Sequence, residues 1–146
     1  MNIQNKNIVI TGAANGIGYA LSKRMSEESP KSISLIDIKS SLKEVARSLN
    51  ADSYIVDVSN EHDFQTVLKD IINKNGSIDL FCSNAGIQQF GTLETSTPDW
   101  QKNWDVNVMS HIYAAKVLIP HMKKQGSGYL LLTVSAAGLL NMPGAI

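Results

Sequence analysis

The stretch Thr11-Gly12-Ala13-Ala14-Asn15-Gly16-Ile17-Gly18 sets three glycines between an apolar β-branched run and a helix-patterned segment. One chemistry suits such a turn. A pyrophosphate is held by backbone N–H groups at a helix N-terminus, and backbone comes close to phosphate only where no Cβ intervenes. Gly12 would make the tight turn, Gly16 would admit the phosphate oxygens, and Gly18 would let the helix pack on a sheet. Glycines in turns are common, and the strand before and helix after are what lift these above an ordinary turn. Other reactive residue types are sparse. His62, His111 and His121 show no metal-ligand spacing and are expected at the surface or an interface, and no metal site is expected. Cys82 sits in an apolar run and reads as a small buried strand residue rather than a nucleophile.

The elements that must position the turn follow from hydrophobic periodicity. Asn7 to Thr11 reads as a buried strand. Gly16 to Glu28 reads as a helix with Ile17, Ala20, Leu21 and Met25 on one face, and Pro30 follows its end. Ser32 to Asp37 predicts a second strand, and Leu42, Val45, Ala46 and Leu49 mark a short helix. Ser53 to Val58 predicts a third strand, and Glu61 to Asn73 a helix with Phe64, Val67, Leu68, Ile71 and Ile72 inward. Asn75-Gly76-Ser77 stops that helix; the triplet also fits a glycosylation sequon but reads as a turn. Ile78 to Cys82 predicts a fourth strand, Thr97 to Gln125 a long helix broken near Asp105, and Gly128 to Val134 a leucine-rich fifth strand. Pro120 should kink or fray the long helix in its last turn. Strand and helix alternate throughout, which predicts βαβ units, right-handed crossovers and a doubly wound parallel α/β sheet of Rossmann type with about five strands.

Composition sets outer bounds. The 146 residues read as one domain, 1–146, of 43% apolar and 18% charged residues. A chain of this size can bury roughly 68–70% of its unfolded surface. Thirteen basic residues balance thirteen acidic ones, so no net field recruits nucleic acid or an anionic membrane, and neither is expected as a partner. A single cysteine excludes an internal disulfide and is compatible with a reducing compartment. The short polar start Met1 to Lys6 has no signal-peptide core, and no apolar run approaches the ~20 residues of a membrane span. A cytoplasmic location is the expectation.

Three residues separate Gly12 from Gly16 and one separates Gly16 from Gly18. That spacing resembles the Thr-Gly-x-x-x-Gly-x-Gly motif of the short-chain dehydrogenase/reductase family, in its ordinary rather than extended branch. The resemblance continues along the chain. Asp37 ends the second strand about twenty residues past the glycines, where an acid accepts both adenosine ribose hydroxyls and repels a 2′-phosphate. Neither Asn15, before Gly16, nor Ile38, after Asp37, supplies the arginine of NADP-binding relatives, although Lys39 is nearby. NAD(H) is therefore the implied cofactor, with NADP(H) second. Asp57-Val58 corresponds to the pair that contacts the adenine, although an N-cap-like aspartate would look the same. Asn84-Ala85-Gly86, preceded by Ser83, resembles the Asn-Asn-Ala-Gly element that steadies the sheet beside the cofactor. The resemblance thus implies a cofactor site of Gly12, Asn15, Gly16, Ile17, Gly18, Asp37, Ile38, Asp57, Val58, Asn84, Ala85 and Gly86.

Two residues carry over as catalytic. Asn107 resembles the helix asparagine that holds a water in the family's proton relay, and an asparagine inside a helix is locally unfavourable. Ser135, in Thr133-Val134-Ser135-Ala136-Ala137-Gly138, falls on the serine that hydrogen-bonds the substrate carbonyl. The family's Tyr-x-x-x-Lys, expected beyond Ser135, does not follow, and the sequence ends at Ile146. Tyr129 lies before Ser135 within a strand and is no substitute. Two functions stay open. One is an oxidoreductase, represented here by an N-terminal part truncated before the later strands and helices, which acts on a small-molecule alcohol or ketone and forms homo-oligomers when complete. The other is a non-catalytic dinucleotide-binding or partner-binding module, finished as written.

Overall fold

In the computed structural model, which describes residues 2–136, three β-branched aliphatic residues between two polar ends form β1, Asn7–Thr11, and all five are buried. Such a strand needs neighbours on both edges, and it has them. It pairs in parallel with β2 (Ser32–Asp37) on one side and β4 (Leu80–Ser83) on the other. β3 (Asp52–Ile55) lies outside β2, and β5 (Tyr129–Leu132) outside β4. The order β3-β2-β1-β4-β5 is the doubly wound arrangement that the alternation predicts. Winding reverses between β1 and β4, which opens a crevice at the carboxyl ends of these two strands.

The helices cover both faces. α1 (Gly16–Ser26) and α2 (Leu42–Ser48) lie with one core, in which Ile8, Ile10, Leu35, Leu42, Ala46, Leu80 and Cys82 pack. α3 (Glu61–Asn75) and α5 (Ser110–Gln125) pack on the other face, where Phe64, Leu68, Ile71 and Leu118 meet Val9, Ile36 and Phe81. Alternate residues of β1 feed opposite cores, as a strand period of two requires. Asn60 caps α3 by accepting from the Asp63 amide, and Gly76 closes it at φ +80°. α4 (Thr97–Trp104) starts at the cap Ser96 with Pro98 in its first turn.

Several boundaries differ from the sequence expectation, for identifiable reasons. β3 ends at Ile55, so Asp57 and Val58 lie past the strand. The Asp57 carboxylate accepts from the Ser59 amide and hydroxyl, a local turn that breaks the ladder. β4 is shifted to Leu80–Ser83, and β5 spans only Tyr129–Leu132. The inward face of α1 is also different: Gly18 and Ser22 are buried, whereas Ile17 is 63% exposed. The helix sits too close to the sheet for large residues. α5 continues through Pro120 to Gln125 and ends at Gly126, so the proline does not terminate it. The break expected near Asp105 is a π-helical turn, Asp105–Met109, between α4 and α5. β5 has the composition of a doubly buried strand, yet Tyr129, Leu131 and Leu132 are exposed and, among the described residues, β4 is its one paired neighbour.

Candidate cofactor site

Thr11 is the hub of the crevice. Its hydroxyl oxygen accepts from the amides of Asn84 (2.9 Å) and Ala85 (3.0 Å) and donates to the Cys82 carbonyl (3.4 Å). Asn84 Nδ2 donates back to the Thr11 carbonyl at 3.2 Å, and Thr133 Oγ1 donates to Asn84 Oδ1 at 3.0 Å. The ends of β1, β4 and β5 are thereby fastened to one another by side chains, beyond their ladder bonds. Gly12 follows at φ +66°, and a Cβ there would lie 2.8 Å from the Ala85 Cα. A Cβ on Gly18 would fall inside van der Waals distance of the Gly12 carbonyl oxygen and 2.7 Å from Asn84 Nδ2. Gly16, at φ +55°, has open space where its Cβ would be. The three glycines thus divide as expected: two admit protein backbone and one faces a void at the start of α1.

Asp37 ends β2 with its carboxylate buried and one hydrogen bond accepted at each oxygen. One oxygen accepts from the Ala14 amide and the other from the Lys39 amide, each at 2.9 Å. The acid is therefore fixed in place beside the glycine turn.

A cavity of about 470 Å³ runs along this edge of the sheet. It is lined by Gly12, Asn15, Gly16, Ile17, Asp37, Ile38, Asp57, Val58, Asn84, Ala85 and Gly86, together with Lys39, Val56, Ile87, Lys102, Val106 and Thr133. Its size is that of an ordinary small-molecule or cofactor site. Gly18 lies under the turn rather than in the wall.

The catalytic expectations fare differently. The Asn107 side chain is taken up by protein. Its Nδ2 donates to the Ile87 carbonyl and its Oδ1 accepts from the Ile87 amide, both at 2.9 Å. Asn103 Oδ1 accepts a further bond from Nδ2. The side chain therefore clamps the segment after β4, and the unfavourable mid-helix position is explained by a π-turn that aims it there. Ser135 is exposed beyond the end of β5 and is not in the cavity wall, which Thr133 reaches instead. Ala137 and Gly138 of that motif lie outside the described residues. The spacing Tyr-x-x-x-Lys occurs once upstream, at Tyr19 and Lys23 in α1, and neither lines the cavity.

Sequence reasoning placed His111 at a surface or interface; in the structure it is half-buried and held by protein partners. Its Nδ1 is 2.5 Å from Ser83 Oγ, and its ring hydrogen-bonds the backbone of Asn107. Burial holds its pKa below the ordinary histidine value, against the opposing pull of that backbone bond. The signal available was positional: His111 is one helical turn past Asn107. Cys82 is buried as expected, and burial pushes its thiol up to about 12, so it carries no thiolate at neutral pH. Among the described residues no three His, Cys, Asp or Glu side chains cluster as metal ligands.

A doubly wound sheet with a glycine-lined crevice at its reversal point is an α/β fold of Rossmann type, in which ligands bind outside the carboxyl ends of the strands. The sequence matches the short chain dehydrogenase family over residues 6–146, and the chain belongs to that family. It is 34% identical over 143 residues to meso-2,3-butanediol dehydrogenase of Serratia marcescens, covering 95% of this chain and 57% of that protein. It is 32% identical over 143 residues to human estradiol 17-beta-dehydrogenase 11, covering 93% of this chain and 47% of that protein. A short chain dehydrogenase/reductase from Burkholderia phymatum, solved in complex with NAD, superposes with a TM-score of 0.92 at 30% identity, covering 99% of this chain and 54% of that one. An NAD+-bound xylitol dehydrogenase superposes at 0.90 with 26% identity, covering 99% and 58%. The chain thus spans roughly half to three fifths of the length of these relatives.

Proposed function

We propose that this chain is the dinucleotide-binding part of an NAD(H)-dependent oxidoreductase that interconverts an alcohol and a carbonyl. The observation that carries the reading is the cavity wall, which holds both the open face of Gly16 and the carboxylate of Asp37, the latter anchored from the end of β2 to the glycine turn through the Ala14 amide. The residues fit the cofactor. Gly16 and the start of α1 would take the pyrophosphate, Asp37 the adenosine ribose hydroxyls, and Val58 with Asp57 the adenine. When bound, nicotinamide supplies the hydride chemistry. The chain's own part is to bind and orient: Thr11 and Asn84 hold the wall rigid, and Asn107 fixes the Ile87 segment. Ser135 is assigned to the substrate carbonyl on the family pattern alone.

The preference for NAD(H) over NADP(H) rests on Asp37, whose two engaged oxygens leave it nowhere to retreat from a 2′-phosphate. Titrating both cofactors by fluorescence tests this. NAD(H) should bind more tightly, Asp37→Ala should narrow the gap, and equal or tighter NADP(H) binding refutes the assignment. The turnover reading adds a second test. The 146-residue polypeptide alone should not turn over secondary alcohols or ketones, because acid–base catalysis contributes about 10²–10⁴ in rate and its tyrosine–lysine pair is not present beyond Ser135. Steady turnover abolished by Ser135→Ala overturns that. The exposed leucines of β5 and the family's length favour a longer oligomeric protein over the finished-module alternative. A cytoplasmic setting accords with the described helices, none of which is long and apolar enough to cross a membrane.

A further inference from the structure

The sequence contains two Asn-Gly pairs, Asn15-Gly16 and Asn75-Gly76. In such a pair the backbone nitrogen of glycine can attack the asparagine side-chain carbonyl carbon. A C–N bond forms, the carboxamide C–N bond breaks, ammonia leaves, and a succinimide ring remains. Water then opens the ring to aspartate or to isoaspartate. No oxidant or catalyst enters the balance. The rate depends on whether the glycine nitrogen is free, whether the asparagine is extended, and whether the local potential tolerates a deprotonated amide.

We propose that Asn15 is a site of spontaneous deamidation, and that conversion there disables the cofactor turn. Asn15 is exposed and extended (φ −157°, ψ −178°), and its side chain makes no capping bond. Gly16 has no neighbour where its Cβ would be, and its amide is one of the donors that a helix start leaves without an intrahelical acceptor. The positive end of the α1 dipole also stabilises a nitrogen anion at that amide.

Asn75 is an internal control in which Gly76 is equally open but the glycine amide, the backbone and the helix dipole are reversed. It is the last residue of α3, and the Gly76 amide is committed to the Ile72 carbonyl at 2.8 Å. The Asn75 carbonyl accepts from Asn7 Nδ2 at 3.4 Å, which ties the pair to β1. The negative end of the α3 dipole opposes deprotonation. Asn15 should therefore convert faster than Asn75 by on the order of tenfold, the factor that one committed backbone hydrogen bond corresponds to.

The product matters because of where it forms. A carboxylate at position 15 would stand in the cavity wall beside the void over Gly16, and isoaspartate would also lengthen the backbone at the N-cap residue of α1. Either change works against an anionic ligand on this turn. This consequence rests on the pyrophosphate placement proposed above, whereas the selectivity between the two asparagines does not.

The experiment ages the purified full-length protein in mildly alkaline buffer, with and without saturating NADH, and follows both peptides by mass spectrometry. The amide-to-acid mass gain, with isoaspartate, should accumulate at position 15 well ahead of position 75. NADH should slow the first and leave the second alone. NADH affinity should decline with the extent of conversion, and in Asn15→Gln it should not decline with age, whatever its starting value. Equal conversion at the two sites, or faster conversion at Asn75, overturns the proposal. Selective conversion at Asn15 that bound NADH does not slow upholds the modification site and removes the pyrophosphate from this turn instead.

Discussion

Gly16 and Gly18 are two residues apart in one motif, and the structure assigns them opposite sensitivities. An alanine at position 16 meets no atom, so its cost to the fold is that of a left-handed backbone, about 1–2 kcal/mol. Its methyl group occupies the space where phosphate oxygens would approach. Each hydrogen bond to a charged group is worth about 1.5–3 kcal/mol, so losing one raises Kd roughly tenfold or more. An alanine at position 18 meets the Gly12 carbonyl and the Asn84 amide, both rigidly held. Overpacking costs about 1–3 kcal/mol in ordinary cores, and the upper end applies where the neighbour is backbone. At about 2–4 °C per kcal/mol, Gly18→Ala should lower Tm by roughly 10 °C and Gly16→Ala by roughly half that or less. The assay is a thermal melt and an NADH fluorescence titration on the same samples. Gly16→Ala should lose affinity while still folded, and Gly18→Ala should lose stability first. A folded Gly16→Ala variant with unchanged NADH affinity refutes the phosphate-turn argument. An unshifted melt for Gly18→Ala refutes the close approach of α1 to the sheet.

Three further outcomes are expected. Thr11→Val keeps the shape of the side chain but leaves the Asn84 and Ala85 amides without their acceptor, a loss of about 1–3 kcal/mol by denaturant melt, and Thr11→Ser should restore most of it. His111 is harder to protonate folded than unfolded, so its contribution to stability is intact at neutral pH and is lost as pH falls below about 6.5; His111→Gln should flatten the acid side of a stability–pH profile, and an unchanged slope would refute its burial against Ser83. Cys82 should resist thiol reagents at pH 8 in the folded protein and react promptly in denaturant, whereas rapid native labelling would contradict a thiol raised to about 12.

The sheet and the crevice at its winding reversal were legible because their signals are local. Val9 and Ile10 mark a buried strand by type, and the glycine spacing marks the turn after it. Eleven of the twelve residues assigned to the cofactor face the cavity, and Gly18 supports it from beneath. What the sequence concealed depends on distance. Ile17 looks like a core residue by periodicity, but the helix it begins lies too near the sheet to bury it. Asp57 resembles the end of a strand, yet its own carboxylate folds the chain into a turn. The partners of Asn107 and His111, at Ile87 and Ser83, are 20 and 28 residues away and leave no periodic trace.

The central place of β1 also bears on the order in which this protein can assemble as it leaves the ribosome. Ile8 is paired with Ile33, 25 positions later, and with Leu80, 72 positions later. The first strand made is thus completed only after more than 70 further residues have been made. Until then β1, β2 and β3 form a half-sheet whose most apolar strand presents a bare edge, with Ile8 and Ile10 facing one side and Val9 the other. Long-range parallel pairing of this kind is slow, and unpaired edges recruit other chains. Translation speed between residues 37 and 80, and holding factors at the exit tunnel, should therefore govern yield more strongly than any step after release.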